Sequence, residues 1–152
     1  MEERELERLC RRIVEASGDA FLFADCRGVI RLWNGGAAAV FGHSAEEALG
    51  QTLDLIVPER LRERHWDGFD RVMATGVTRY GHEVLAVPAQ RKDGARISVE
   101  FTVALIRDEA GAIAGVAAVL RDVTARWLKE KELEARLARW RKGSAGGELT
   151  IE

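Results

Sequence analysis

Over residues 95–105 the chain alternates Ile97, Val99, Phe101, Val103 and Leu105 with Ser98, Glu100 and Thr102. Successive side chains of a strand point to opposite faces, so this alternation marks a strand with one dry face and one wet one. Such a strand needs partners beside it and a second layer over its dry face. Turn sequences bracket it: Arg91-Lys92-Asp93-Gly94 before, Arg107-Asp108-Glu109-Ala110-Gly111 after. Residues 79–90 and 112–120 are predicted as the flanking strands, and three consecutive strands joined by Asp/Gly turns form an antiparallel meander.

Upstream the period changes. Leu6, Leu9, Cys10, Ile13 and Val14 recur at helical spacing among glutamates and arginines, which predicts an amphipathic helix over residues 2–16 stopped by Ser17-Gly18-Asp19. Residues 20–24, the turn Asp25-Cys26-Arg27-Gly28 and residues 29–33 read as strand, tight turn, strand. Asn34 can cap a helix over the small-residue run 35–40, and Ser44 with Glu47 makes a capping box for a second helix beyond Gly42. A short turn near residues 53–56 leads to Pro58, whose fixed φ suits the first position of a helix running to Thr75 and ending at Gly76. Residues 124–142 are charged and helical, with Trp127, Leu133, Leu137 and Trp140 as apolar points, and residues 143–152 read as a frayed tail.

The natural α+β solution is a five-stranded antiparallel sheet with short helices on one face and a flanking helix at each end. The expected division is an N-terminal helix over 1–16, a core over 17–122, a C-terminal signalling or dimerisation helix over 123–142 and a flexible tail over 143–152. That architecture uses nearly all of the 152 residues, leaving no room for a catalytic domain beside it.

Charge and chemistry narrow the function classes. With 25 acidic and 23 basic residues the net charge is −2, which exerts no long-range pull on nucleic acid or anionic membrane. No apolar run approaches the ~18 residues of a membrane span, and the start Met1-Glu2-Glu3-Arg4-Glu5 does not read as a signal peptide, so the expected compartment is the cytoplasm. Cys10 and Cys26 would stay reduced there. His43, His65 and His82 lack the spacing of a metal cluster. No Ser or Cys stands in a nucleophile setting, and Gly35-Gly36 leads into alanines rather than a phosphate-loop lysine, so the chain reads as a non-enzyme. Trp33 and Trp66 have no basic patch around them and read as packing aromatics.

Five landmarks in order then resemble the PAS (Per-ARNT-Sim, S-box) sensor family: Asp25-Cys26-Arg27-Gly28 with Trp33-Asn34, Phe41-Gly42-His43-Ser44 with Glu46-Glu47 and Leu49-Gly50, Arg91-Lys92-Asp93-Gly94, and Arg121-Asp122-Val123-Thr124. The resemblance covers roughly residues 13–128. It implies the PAS fold and a stand-alone sensory or signal-transduction module that passes strain through its flanking helices to a separate effector, such as a kinase or a regulator of transcription. With so little chain beyond the last helix, that output is expected to be delivered in trans, or to have been lost by truncation. No direct nucleic-acid or membrane partner is expected.

Within the family, the flavin photosensor branch would place a reactive cysteine where this chain has Gln51-Thr52-Leu53-Asp54, which argues against a photoadduct. An FAD-type redox PAS is a further alternative, although the tryptophan usual ahead of the hairpin is replaced by Tyr80-Gly81-His82-Glu83. Residues 58–69 are similar to the long helix of the haem-binding, gas-sensing branch. The resemblance implies haem b, with His65 as iron ligand, Arg71 reaching a propionate, and a pocket walled by Leu61, Phe69, Val72, Met73, Val87, Ile97, Val99, Ile113 and Val119. Where that branch carries an oxygen-holding arginine this chain has Leu85, which would favour CO, NO or redox sensing, with His82 nearby as a distal donor, a second ligand or a propionate contact. Against this stands the plainer reading, a partly buried structural histidine in a cofactor-free dimerisation, partner-binding or small-organic-ligand module. Helical spacing aligns Leu61, His65, Phe69 and Val72 on one stripe, so His65 can face inward in either case. A homodimer is expected through Leu6, Leu9 and Ile13 of the first helix and Leu133, Leu137 and Trp140 of the last, where eight basic residues against four acidic over 121–142 give a modest positive excess.

Overall fold

The computed structural model describes residues 1–78 and 84–145. The alternating segment forms strand β4, Arg96–Arg107, flanked by β3 (Leu85–Gln90) and β5 (Ile113–Asp122). Strands β1 (Ala20–Asp25) and β2 (Ile30–Trp33) form the upstream hairpin. The five strands pair antiparallel in the order β2-β1-β5-β4-β3, so the meander and the hairpin meet where β5 pairs with β1. Register puts Leu85, Phe101, Leu120 and Ala20 on one line across the sheet, and Val103, Ala118 and Leu22 on the next. These residues share the inner face, and the short helices cover it.

Those helices begin and end as their polar residues dictate. Helix α2, Gly35–Phe41, is capped by Asn34, whose side chain accepts from the Ala37 amide. Helix α3, Ala45–Ala48, carries the complete Ser44/Glu47 capping box. Helix α4, Arg62–Thr75, ends at Gly76 in the left-handed region. Its start departs from expectation: Pro58 heads a 3₁₀ turn over Glu59–Leu61, and α4 opens only at Arg62. Leu61 stands at the cap position with no capping side chain, and the tighter turn satisfies its own N–H on the Pro58 carbonyl. Leu22, Ile30, Phe41, Phe69, Ile97, Val99 and Leu120 lie in one buried core between sheet and helices.

Other boundaries shift too. The strand expected over 79–90 is seen from Leu85, with Val84 outside it and residues 79–83 outside the described residues. Pro88 is tolerated because β3 is an edge strand whose proline misses no inner ladder bond. Strands β4 and β5 run two residues past their expected ends, because each continues to pair with the other. The N-terminal helix α1 is Glu3–Ala16, and α5 is Thr124–Ala145, so residues 143–145 of the expected tail are helical. The chain divides into two units, Met1–Asp122 and Val123–Glu152, the second built on α5. Among the described residues no helix is long and apolar enough to cross a membrane.

Candidate functional site

The inner face of α4 is the part of the fold where buried polarity is left over. Among the described residues the buried side-chain nitrogen or oxygen without a hydrogen-bond partner is His65 Nδ1. The imidazole is half-buried beside Trp66, with ring centroids 5.1 Å apart, and near Phe69 at 6.3 Å. Burial pushes its pKa below the usual 6.5, only partly opposed by the Asp54 carboxylate. His65 is therefore neutral at physiological pH, the form that can donate an imidazole nitrogen lone pair.

Its neighbour Trp66 fixes the helix to the hairpin. The indole Nε1 donates to Asp54 Oδ1 at 2.7 Å, and the ring lies so close to Gly28 that a Cβ there would fall 2.2 Å from it. Gly28 also has φ +75°, so this turn needs glycine for its backbone and for the tryptophan above it. Arg62 adds a bond from Nε to the Val57 carbonyl.

At the other end of the layer the polar groups are all satisfied. Asn34, 1% exposed, accepts from the Phe21 and Ala37 amides through Oδ1 and donates through Nδ2 to the carbonyls of Val14 and Asp19. One side chain thus joins the last turns of α1, the α1–β1 turn, β1 and α2. Gly36 touches the same turn so closely that a Cβ would lie 2.0 Å from the Asp19 carbonyl oxygen. Two further bonds, at 3.0 and 3.1 Å, run from the Arg121 guanidinium on β5 to the Asp19 carboxylate, and they hold that carboxylate below its usual pKa. Sequence analysis identified Asn34 as a helix cap only; its three non-local bonds have no local sequence signal.

The residues expected around His65 divide. Phe69, Met73, Ile97 and Val99 belong to one packed core with Phe101 and Val103. Val72, Leu61 and Leu85 are half-buried beside it, with Leu85 on the inner face opposite Phe101. Val87, opposite Val99, is 39% exposed at the sheet edge. Ile113 reaches the inner side near Gly76 because β5 slips register by a residue there. Val119 does not wall this space: it alternates with the buried Leu120 and points to the other face. Arg71 is exposed, about 120° round the helix from His65 at 3.6 residues per turn. His82 lies outside the described residues. Cys10 and Cys26 are both free and exposed, and Cys26 Sγ donates to the Ile113 carbonyl.

For haem, the donor set fits: a neutral, inward histidine with an unengaged ring nitrogen, in an apolar frame. The frame is also packed: Phe69, Ile97 and Val99 are buried in one core, with Trp66 and Met73 against it. Two cavities lie elsewhere. One, of about 420 Å³, is lined by Thr78, Thr102, Ala104, Ala117 and Val119 among others, on the sheet face away from Phe69. The other, of about 490 Å³, lies between the turn at Pro58 and the β3–β4 hairpin.

The apolar residues expected at a dimer interface are exposed. Leu6, Leu9 and Ile13 are 41–58% exposed on α1, and Leu133, Leu137 and Trp140 are 48–69% exposed on α5.

Comparison with known proteins gives a consistent pattern. A family profile described as PAS fold matches residues 14–127. An uncharacterised protein of Azorhizobium caulinodans is 36% identical over 125 residues, 82% of this chain and 17% of that protein. The sensor protein FixL of Bradyrhizobium diazoefficiens is 27% identical over 149 residues, 96% of this chain and 29% of that one. Both relatives are therefore several times longer than the stretch they share. Among solved structures, an RNA-binding light-oxygen-voltage receptor superposes with a TM-score of 0.73 at 20% identity, over 91% of this chain and 39% of that one.

Proposed function

The chain belongs to the PAS family, and from that premise we propose that it is a sensory signalling module whose reading element is the inner face of α4. The observation that carries this reading is the unpartnered Nδ1 of a neutral, inward His65. A buried polar atom left unpaired costs roughly 1–3 kcal/mol, and a helix carrying that penalty is the element most readily moved by a ligand that relieves it. The proposed occupant is haem b, held through His65, walled by Phe69, Met73, Ile97 and Val99 and met by Arg71 at the solvent edge. Bound haem would supply an iron that responds to a diatomic gas or to redox state. Leu85, as an apolar side chain, offers no hydrogen-bond donor to a bound gas, which favours CO, NO or redox over oxygen. Entry of so large a group requires α4 to lift from the sheet, and that displacement is the proposed signal.

The module is proposed to be non-enzymatic and to act in the cytoplasm. It would work as a homodimer through the exposed apolar residues of α1 and α5, delivering its output to a kinase or transcription-regulator effector. The likeness to FixL, a longer sensor protein, supports an effector-coupled role of this kind.

A second reading is favoured by the burial of Phe69 in the core: a cofactor-free PAS module, or one that takes FAD or a small organic ligand, in which the dimer itself is the functional state. The visible spectrum of protein expressed with haem supplementation separates the two. The first reading predicts a Soret band that is lost or displaced in His65→Ala. Protein without a Soret band, colourless or with a flavin spectrum, that is dimeric by light scattering and monomeric when Leu137 and Trp140 are made polar, would replace it with the second.

A further inference from the structure

The groove between residues 58–60 and the β3–β4 hairpin belongs to neither the α4 site nor the helical surfaces. It holds about 490 Å³, within the range of small-ligand sites, and is lined by Pro58, Glu59, Arg60, Gln90, Gly94 and Arg96. Two arginines line it from separate elements: Arg60 from the 3₁₀ turn, Arg96 from the first position of β4. Elsewhere in this unit Arg31, Arg62 and Arg121 pair with aspartates, while Arg91 and Arg107 donate to backbone carbonyls. Arg60 and Arg96 do neither among the described residues, and both are exposed.

The walls are fixed before any ligand arrives. The Gln90 amide donates to the Ile56 carbonyl at 2.9 Å, tying β3 to the segment that leads into Pro58. Gln90 faces Arg96 in register across the hairpin. The hairpin turn is itself clamped to the α2–α3 elbow: Lys92 N donates to Phe41 O at 2.8 Å, the Lys92 ammonium pairs with Glu47, and Arg91 donates to the Val40 carbonyl. Gly94 leaves its side of the groove open, since a Cβ there would meet nothing within 4 Å. Glu59 is the opposing charge in the lining. It repels any anion, so one held by a single arginine gains little, and only a ligand that engages both arginines at once offsets that repulsion.

We propose that this groove is a second binding site, for a small multivalent oxyanion that bridges Arg60 and Arg96, with the Gln90 side-chain carboxamide as a further donor. Guanidinium forks bind carboxylate and phosphate oxygens bidentately, so a di- or tricarboxylate and a phosphorylated metabolite share the recognised chemistry. The 3₁₀ turn runs directly into α4, so an occupant would act on the helix that carries His65 without entering its interior.

The test is a titration of the full chain with citrate and, separately, with inorganic pyrophosphate, at constant ionic strength set with chloride. Binding is read by calorimetry and by amide shifts in a ¹⁵N spectrum. Saturable binding is expected, with shifts concentrated at Arg60, Gln90, Gly94 and Arg96. Arg60→Ala and Arg96→Ala should each weaken it roughly tenfold, the loss of one charge-assisted contact. Glu59→Gln should tighten it, which a merely structural role for these residues would not do. A preference for citrate identifies the carboxylate class and a preference for pyrophosphate the phosphate class. Shifts that do not saturate, or that spread evenly over all exposed arginines, or binding unchanged in both arginine variants, would overturn the site. All three substituted side chains are exposed, so the variants should keep the native circular dichroism.

Discussion

The two ends of the layer over the sheet are built to opposite rules. Around α2, every hydrogen-bonding group of a fully buried Asn34 is used, Gly36 admits the backbone of the α1–β1 turn at contact distance, and Arg121 locks the same turn to β5. Around α4, the one side chain below 10% exposure is Phe69, His65 is left with an unpaired ring nitrogen, and the helix starts without a capping side chain. A network with all partners present has one arrangement and resists displacement, whereas a face with a missing partner has little to lose by moving. The fold thus holds the α1–β1 junction still and leaves freedom beside β4, where a sensor needs it.

The sharpest way to break this contrast is Asn34→Ala. Removing it strands two amides and two carbonyls from four segments, and a loss of about 3–5 kcal/mol is expected in urea denaturation, enough to unfold a marginal domain. A loss under about 1 kcal/mol would mean the junction is no more rigid than α4. Next in size is Trp66→Phe, which keeps an aromatic ring beside Phe69 but deletes the bond to Asp54 and the outer indole edge that lies against Gly28. It should cost about 1–2 kcal/mol. Because α4 is then held less firmly, amide exchange should rise in α4 and not in α2.

The smallest effect has the opposite sign. In haem-free protein, His65→Leu should raise stability by up to about 1 kcal/mol, because it removes an unpaired buried nitrogen without opening a cavity. The same residue sets a pH dependence. Burial depresses the folded pKa, so the unfolded chain binds the proton first as pH falls through the ordinary value near 6.5. The contribution of neutral His65 is therefore intact above that value and lost as pH drops toward the folded pKa. Midpoints measured from pH 7.5 to 5.5 should decline in the native chain and flatten in His65→Leu; equal slopes would place the sensitivity elsewhere.

Much of this fold was legible because its determinants are local. The alternation that forms β4, the Ser44/Glu47 box, the Asn34 cap and the stop at Gly76 act within a few residues of one another. The errors fall where a distant partner decides. Nothing in the sequence of β5 reveals the register slip that brings Ile113 inward while Val119 stays outward, and only pairing with β4 extends both strands. The α4 start moved because Leu61, with no capping side chain, turns to the Pro58 carbonyl.

The candidate site shows the same division. The family, the strand and helix order and the placing of His65 on an inward stripe follow from the residues alone, since periodicity and turn chemistry are properties of neighbouring residues. Tertiary packing alone left the His65 ring nitrogen without a partner, buried Phe69, Ile97 and Val99 in one core, and let Asn34 unite four segments. It alone also brought Arg60 and Arg96, far apart in sequence, to one groove. Burial and the sharing of hydrogen bonds depend on which segments meet, and that is fixed by the packing of the whole sheet and its covering helices.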